Sequence, residues 1–558
     1  MAKWVNEGHI TWESDVQSGF ESAPKTLLRL YDGANLGKNF WKSKMHFDVA
    51  IIGYGPVGAM TALSLSHTGL RVLILERLTE ASDLPRAVGL DGESLRAFAR
   101  LGFGDEIGSL CQPPRDTNEI QFTNSERVKI FGQDVSQVGP NGWRDIAFFD
   151  QPELELELRR IIEKDERIEV RLGTRVVAID QDDDTVTLST TDTQATDTDS
   201  AQMQYQATYA IGCDGASSFV RDAIGVAWQS LGYDQDWLVL DVIQGPNANL
   251  PISTMQVCDP ARLTSYIAVK DPNRRWEFQL LEGETREEML AQEKIDELLE
   301  PWIAREDYTI RRKAVYQFHA ATADAWRKDR VFLAGDAAHQ TPPFLGQGLN
   351  AGFRDAVNLG WKIPLVLAGD CDARLLDTYA EERDGHARLL VKRAVSVGKL
   401  METFAAREAG LPDPHPPESN SLDINGPIVP PMDSGIFALG QTAAEHHVGC
   451  LLRQPTVRNT EGSEAQLDKF LGQGIGLVGR NASDLAMSPE AKALFDRLGG
   501  HAVALADFEL VEGSWDSLLD AHPAALIRAD RYVFGVVDET RSLDRLVFEL
   551  GAMLHVRN

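Results

Sequence analysis

Cysteine is scarce in this sequence: five residues in 558, at positions 111, 213, 258, 371 and 450, with no CxxC pair among them. So odd and widely spaced a set supports neither a disulfide framework nor a thiolate zinc site, and it fits a reducing cytoplasm. Positive charge is also in short supply. Fifty-five lysines and arginines face 84 aspartates and glutamates, a formal net charge of −29. A surface this acidic repels phosphate backbones and anionic bilayers, so neither nucleic acid nor membrane is expected as a partner. Long apolar runs are missing too. The most apolar stretch, 47–75, is interrupted by Gly53, Gly55, Gly58 and His67 and reads as strand, turn, helix and strand rather than a membrane span. The N-terminal MAKWVNEGHITWESD has no apolar segment of the kind a secretory signal needs. No metal site is expected; the acidic run Asp182–Asp184 reads as exposed turn.

With 43% hydrophobic and 25% charged residues the composition is that of a globular enzyme, and the length calls for three or four structural units. Residues 1–45, with Trp4, Trp12 and Trp41, form an N-terminal extension that reads as an arm packed on the body. From His46 the pattern is α/β. Phe47–Ile52 suits a buried parallel strand, Ala59–Thr68 a helix ended by Gly69, and Arg71–Leu75 a second strand. In Pro152–Glu163 the residues Leu154, Leu158, Ile161 and Ile162 share one helical face. Residues 174–211 read as a β-meander with a polar, solvated insert, and 233–281 as a second sheet. In that sheet Trp237, Val239 and Asp241 alternate with Leu238, Leu240 and Val242, and alternation alone does not say which face covers a pocket. Leu349–Ala368 is a long helix, 411–433 a proline-rich linker, and 434–558 a small terminal domain.

Three motifs carry chemistry. The first is Gly53-Tyr54-Gly55-Pro56-Val57-Gly58, a GxGxxG between strand and helix, which suits a pyrophosphate at a helix N-terminus. Glu76 closes the next strand, where a carboxylate can take ribose hydroxyls, and Arg77 follows it. The second is CDGASSFVR at 213–221, with Asp214 and Arg221. The third is GDAAHQTPPFLGQGLN at 335–350, holding Asp336, Pro343, Gly348, Leu349 and Asn350. His339 within it reads as a loop-bracing residue rather than an acid–base group.

In this order the three motifs resemble the class A flavoprotein monooxygenases of the p-hydroxybenzoate hydroxylase fold. Pro85-Arg86-Ala87, Gln151-Pro152, RRWEF at 274–278 with Gly283-Glu284, and Tyr316-Gln317-Phe318-His319 are similar to the subgroup of 3-(3-hydroxyphenyl)propionate and phenol hydroxylases. The likeness is strong over 46–400. It implies a Rossmann-like FAD-binding domain of the GR2 type (46–115, 143–232 and 310–410) interleaved with a β-sheet substrate domain (116–142 and 233–309). The tail 434–558 resembles the thioredoxin-like domain of phenol hydroxylases through Leu467-Asp468-Lys469-Phe470 and Arg528-Ala529-Asp530-Arg531-Tyr532-Val533, but Cys450 is its single cysteine, so it cannot exchange a dithiol.

The resemblance further implies non-covalent FAD held by Gly53, Gly55, Pro56, Val57, Gly58, Glu76, Arg77, Arg86, Gln151, Asp214, Asp336, Gly348, Leu349 and Asn350. NADPH or NADH is expected as a transient co-substrate, since no second GxGxxG occurs. Asp214 and Arg221 are expected to serve both nucleotides. The expected reaction is hydroxylation of a small phenol by O2 through a flavin C4a-hydroperoxide, with Pro343 beside the ring and Tyr316 and His319 as candidate catalytic groups. A homodimer is an open expectation. So are a same-fold oxidase, epoxidase or decarboxylating hydroxylase, and a flavin-binding scaffold without turnover.

Overall fold

The computed structural model describes residues 46–115, 118–194, 203–415 and 429–557, and the backbone of two strands, Ser14–Ser18 and Lys38–Lys42, that pair in parallel. The expected packing of Trp4 and Trp12, the polar insert beyond 194 and the middle of the proline-rich linker lie outside the described residues.

Strand His46–Ile52 sits at the centre of the first sheet. Val49, Ala50, Ile51 and Ile52 are all buried, as a parallel strand covered on both faces requires. It pairs in parallel with Val72–Leu75 on one side, and Ile168–Arg171 continues the sheet beyond. On the other side it pairs in parallel with Met203–Gly212, whose far end carries Val331–Leu333. Thr174–Gln181 and Val186–Asp192 extend the sheet as an antiparallel meander. Helices Pro56–Ser66, Gln151–Ile162 and Gly348–Leu367 cover it. The second of these buries Leu154, Leu158, Ile161 and Ile162, the face its spacing predicts. Together they make a Rossmann-type α/β domain.

Two long strands, Trp228–Gln244 and Tyr308–Ala323, pair antiparallel and carry the chain into a second, eight-stranded sheet. The order runs on through Asn273–Gln279, Thr264–Ile267, Thr254–Val257, Glu119–Thr123 and Lys129–Asp134. Leu238, Leu240 and Val242 turn outward and pack with Trp276 and Phe278 on Met289, Ile295 and Leu299. The opposite face, with Val239 and Asp241, therefore looks back toward the first domain. The sequence reading assigned no element to the 31-residue helix Thr378–Glu408, whose Val391, Val395 and Met401 pack against Trp237 and Phe344.

The C-terminal domain is distinct. Strands His501–Ala504, Gly476–Gly479, Ala524–Ile527 and Val533–Val536 form a sheet in that spatial order, the first pair parallel and the others antiparallel. Helices Pro489–Arg497 and Leu543–Met553 pack on one face. This domain docks on the first through buried charge. Asp468 accepts two hydrogen bonds from Arg96, at 2.7 and 2.9 Å, and one from Arg531 at 2.9 Å. Glu382 accepts from Lys362 at 2.7 Å and from Arg528 at 2.7 and 2.8 Å. Burial opposes ionisation of both carboxyls, yet the surrounding cations win: Glu382 is brought down to about 2, and Arg96 and Arg531 hold Asp468 well below its ordinary range.

Candidate active site

A cavity of about 860 Å³ lies between the first domain and the inner face of the second sheet, near the upper end of the roughly 300–1,000 Å³ usual for small-molecule sites. Gly55, Pro56, Val57, Arg86, Gln151, Asp336, Pro343, Gly348, Leu349 and Asn350 all border it, so one chamber collects residues from four distant segments.

At its nucleotide end the shape is made by backbone. Gly53 has φ +106°, and a side chain there would run into the Cys213 carbonyl; one at Gly58 would occupy the place of the Gly53 carbonyl oxygen. Gly55 differs. A Cβ built on it meets no protein atom within 4 Å and projects into space that a pyrophosphate can use. The Glu76 carboxylate accepts from the Tyr54 N–H at 2.7 Å and the Leu78 N–H at 2.8 Å, which closes the glycine turn. Arg77 is exposed and does not border the cavity. The helix Gly348–Leu367 begins at the cavity, presenting its unpaired N–H groups and the positive end of its dipole.

Asp336 opens onto the cavity, where no protein hydrogen bond reaches its carboxylate among the described residues. Burial by the walls raises its pKa, with His339 and Arg86 opposing. A carboxylate so placed suits the polyhydroxyl chain of a flavin nucleotide. His339 braces the turn: its Nε2 lies 2.9 Å from Asp355, which also accepts from the Gly335 N–H and from Arg383. Gln151 accepts from the Ala87 N–H at 2.6 Å, tying the loop of Arg86 to the helix below. The Asn350 side chain is spent on the frame. It accepts from the Asp91 N–H and Ser94 hydroxyl and donates to the Gly89 and Gly346 carbonyls.

Two expectations change here. Asp214 caps the helix Phe219–Ala223, accepting from the Ser218 hydroxyl at 2.5 Å and the Val220 N–H at 3.0 Å; its neighbours Cys213 and Gly215 border the cavity instead. Arg221 is buried over the Trp228 ring at 4.3 Å and pairs with Asp222, away from the cavity. Tyr316 and His319 also lie outside it. Their strand runs beyond the chamber, so Tyr316 is 38% exposed and receives a hydrogen bond from Arg312, while exposed His319 pairs with Asp234 at 2.5 Å.

The sheet end of the cavity is built from residues the sequence reading did not single out. Gln256, Ser265 and Glu277 stand in register across three neighbouring strands, and Thr254 and Arg275 lie two residues along on the same face. Phe122, Phe131, Ile146 and Phe148 supply apolar wall, with Phe122 stacked on Phe131 at 4.5 Å between centroids. RRWEF at 274–278 was the available signal, since alternation puts Arg275 and Glu277 together on the face opposite Trp276 and Phe278.

Behind the cavity a polar chain reaches the C-terminal domain. The Tyr532 hydroxyl donates to Glu93 at 2.8 Å, Arg354 donates to Glu93 at 2.6 Å, and Arg354 donates to Gln347 at 3.1 Å in the loop that opens the cavity-facing helix. No helix among the described residues is long and apolar enough to cross a membrane, and no group of three His, Cys, Asp or Glu there could hold a metal ion.

Comparison with known proteins agrees with this geometry. Residues 46–394 match the FAD binding domain family, and residues 449–551 the HcaD C-terminal domain. The chain is 31% identical over 519 residues to the "Probable NADH-specific resorcinol 4-hydroxylase" of Rhodococcus jostii (strain RHA1), covering 90% of this chain and 94% of the relative. It is also 31% identical to the 3-(3-hydroxy-phenyl)propionate/3-hydroxycinnamic acid hydroxylase of Burkholderia cenocepacia (strain HI2424), over 88% and 94%. The solved structure of aklavinone-11 hydroxylase with FAD and aklavinone superposes with a TM-score of 0.75 at 23% identity, over 91% of this chain and 99% of that one. An α/β nucleotide domain sharing one chamber with a mostly antiparallel sheet is the arrangement these relatives share. The chain belongs to the class A FAD-dependent aromatic hydroxylases of the p-hydroxybenzoate hydroxylase fold, monooxygenases with FAD as cofactor and NAD(P)H as co-substrate.

Proposed function

We propose that this chain hydroxylates a small phenol bearing a second substituent at the 3-position, consuming NAD(P)H and O2 and releasing the second oxygen atom as water. The observation that carries this reading is the single chamber, with a nucleotide end of backbone groups facing a sheet wall of polar and aromatic side chains. Resorcinol and 3-(3-hydroxyphenyl)propionate, in the names of two relatives, are both 3-substituted phenols. FAD bound at the glycine end would supply hydride acceptance and the activation of O2.

This chain's residues do the remainder. The open space at Gly55 and the carboxylate of Asp336 bind the nucleotide, and the N-terminus of Gly348–Leu367 favours negative charge on a flavin edge. Phe122, Phe131 and Phe148 exclude water from the reacting centre, which keeps activated oxygen from being lost. Pro343 borders the cavity, which supports the expectation that it lies beside the substrate ring. The domain division expected from the sequence is part of the reading, supported by the two sheets and the strands that cross between them. So is a thioredoxin-like C-terminal domain, supported by its strand order and pairing. With Cys450 alone it has no dithiol chemistry and serves docking.

The test is anaerobic stopped-flow reduction of the flavin by NADH and by NADPH, with and without a panel of 3-substituted phenols, followed by mixing with O2 and mass analysis. Faster reduction with a phenol and a product one oxygen heavier are expected. Rapid reduction whatever is added, yielding only peroxide, overturns the hydroxylase in favour of an oxidase.

A further inference from the structure

We propose that Glu277 accepts the hydroxyl proton of the substrate ring in the cavity and so helps fix the ring's orientation. This rests on the hydroxylase reading above. Glu277 lies in the middle of strand Asn273–Gln279, borders the cavity and is 4% exposed, yet no protein hydrogen bond reaches its carboxyl among the described residues. Its strand neighbours do not supply one. Ser265, directly across, donates to Gln256 at 2.5 Å, and Val239 on the other side is apolar.

The nearby cations are committed elsewhere. Arg275 donates to Asp241 at 2.7 Å, to the Arg86 carbonyl at 2.6 Å and to the Pro85 carbonyl. Arg312 donates to the Pro85 carbonyl at 2.5 Å and to Asp241 at 3.3 Å. Arg86, Asp91, Arg393 and Asp336 are the charged groups on the other walls of the chamber, Asp91 being paired with Arg354. A buried carboxyl without a protein partner among the described residues is costly, and a ligand hydroxyl satisfies it.

Burial raises the Glu277 carboxyl to about 7, Asp241 adding to the rise and Arg275 and Arg312 opposing it. A base that changes charge near neutrality is matched to a weakly acidic phenol. In the step itself the ring O–H bond breaks, the proton moves to a Glu277 carboxylate oxygen, and the bonding pair stays on the ring oxygen. Electron density rises at the ortho and para carbons, which then accept an electrophilic oxygen. The ring C–H proton displaced by that oxygen then moves to the ring oxygen, restoring aromaticity, and Glu277 gives up its proton to the second oxygen atom, which leaves as water.

The experiment uses the FAD-loaded enzyme with resorcinol and with 3-(3-hydroxyphenyl)propionate. Ultraviolet difference spectra report whether the bound phenol is ionised, and kcat/KM for product is followed from pH 5.5 to 9. Wild type should show a phenolate signature and an acid limb near pH 7. Glu277→Gln should lose both, with turnover down about 100-fold or more, the usual worth of a positioned base; Glu277→Asp should recover part of each. A Glu277→Gln enzyme with wild-type turnover and an unchanged acid limb overturns the assignment while the hydroxylase reading stands. Wild type that ionises the bound phenol in a Glu277-dependent way but forms no product overturns the hydroxylase reading and leaves the assignment intact. A wild type that binds neither phenol overturns both.

Discussion

Two regions of this molecule bury ionisable side chains, and they treat them in opposite ways. At the seam with the C-terminal domain, Asp468 and Glu382 are each met by two cations at hydrogen-bond distance. On the cavity's sheet wall, Glu277 is buried as deeply, and no protein hydrogen bond reaches its carboxyl among the described residues. Burial alone therefore says little about role. A paired buried charge is architecture, because its desolvation is offset within the fold. An unpaired one is an offset waiting for a ligand.

The sharpest test of the paired side is Asp468→Ala. It strands Arg96 and Arg531 in the seam, and a loss of about 3–5 kcal/mol in chemical denaturation is expected; a loss below ~1 kcal/mol would remove the contrast. Next comes Gly55→Val. Because no protein atom stands within 4 Å of the added carbon, the fold should survive while FAD affinity drops by about 100-fold or more, near 2.8 kcal/mol. Isothermal titration of apoenzyme measures it, and unchanged affinity would mean the space is not the pyrophosphate's. Asp336→Ala should weaken FAD by about ten- to a hundredfold, the roughly 1.5–3 kcal/mol of a charge-assisted hydrogen bond.

Glu277 offers a fourth test, in stability. Its folded carboxyl titrates near 7, above the ordinary 4.5. The stability it contributes is fully present below pH 4.5 and is lost as pH rises through 7, after which the carboxylate opposes folding. Glu277→Gln should therefore melt about 2–4 °C above wild type at pH 8, the shift given by ~1 kcal/mol in a domain of 150–250 residues, and the gain should vanish by pH 4.5. A variant less stable than wild type at pH 8 would place Glu277 with the paired charges of the seam. The smallest effect belongs to Tyr316→Phe and His319→Ala. Both positions lie outside the chamber, and kcat/KM should stay within about twofold, as for ordinary surface changes.

The shape of the glycine-rich end is legible in the sequence because it is local backbone geometry: a glycine turn and a helix start are each written in a few adjacent residues. Glu76, expected on a ribose, is instead taken up by the Tyr54 and Leu78 N–H groups and does not border the cavity. The sheet wall is not legible, because Thr254, Ser265 and Glu277 become neighbours only through strand register. Alternation separates the two faces of Trp237–Val242 but cannot say which one a cavity will cover; the helices packed on Leu238 and Leu240 decide that. Tyr316 and His319 mislead for the same reason, since a strand motif carries no mark of where the chamber ends. Asp214 misleads differently: one carboxylate after a strand can face a nucleotide or cap the next helix, and here it caps. The tail's motifs are legible as a likeness yet silent about purpose. Asp468, Arg528, Arg531 and Tyr532 turn out to be the residues that fasten the domain down.

The polar chain from Tyr532 through Glu93 and Arg354 to Gln347 also sets an order of assembly. Gln347 leaves the ribosome 185 residues before Tyr532 does. At about 5–20 residues per second the loop waits about 9–37 s for its brace. Through that interval the nascent first domain has its glycine turn and the Gln347–Arg354–Glu93 links, and lacks only the hydroxyl that closes the chain. The last link of the chain is thus closed late, by a domain none of whose described residues borders the cavity.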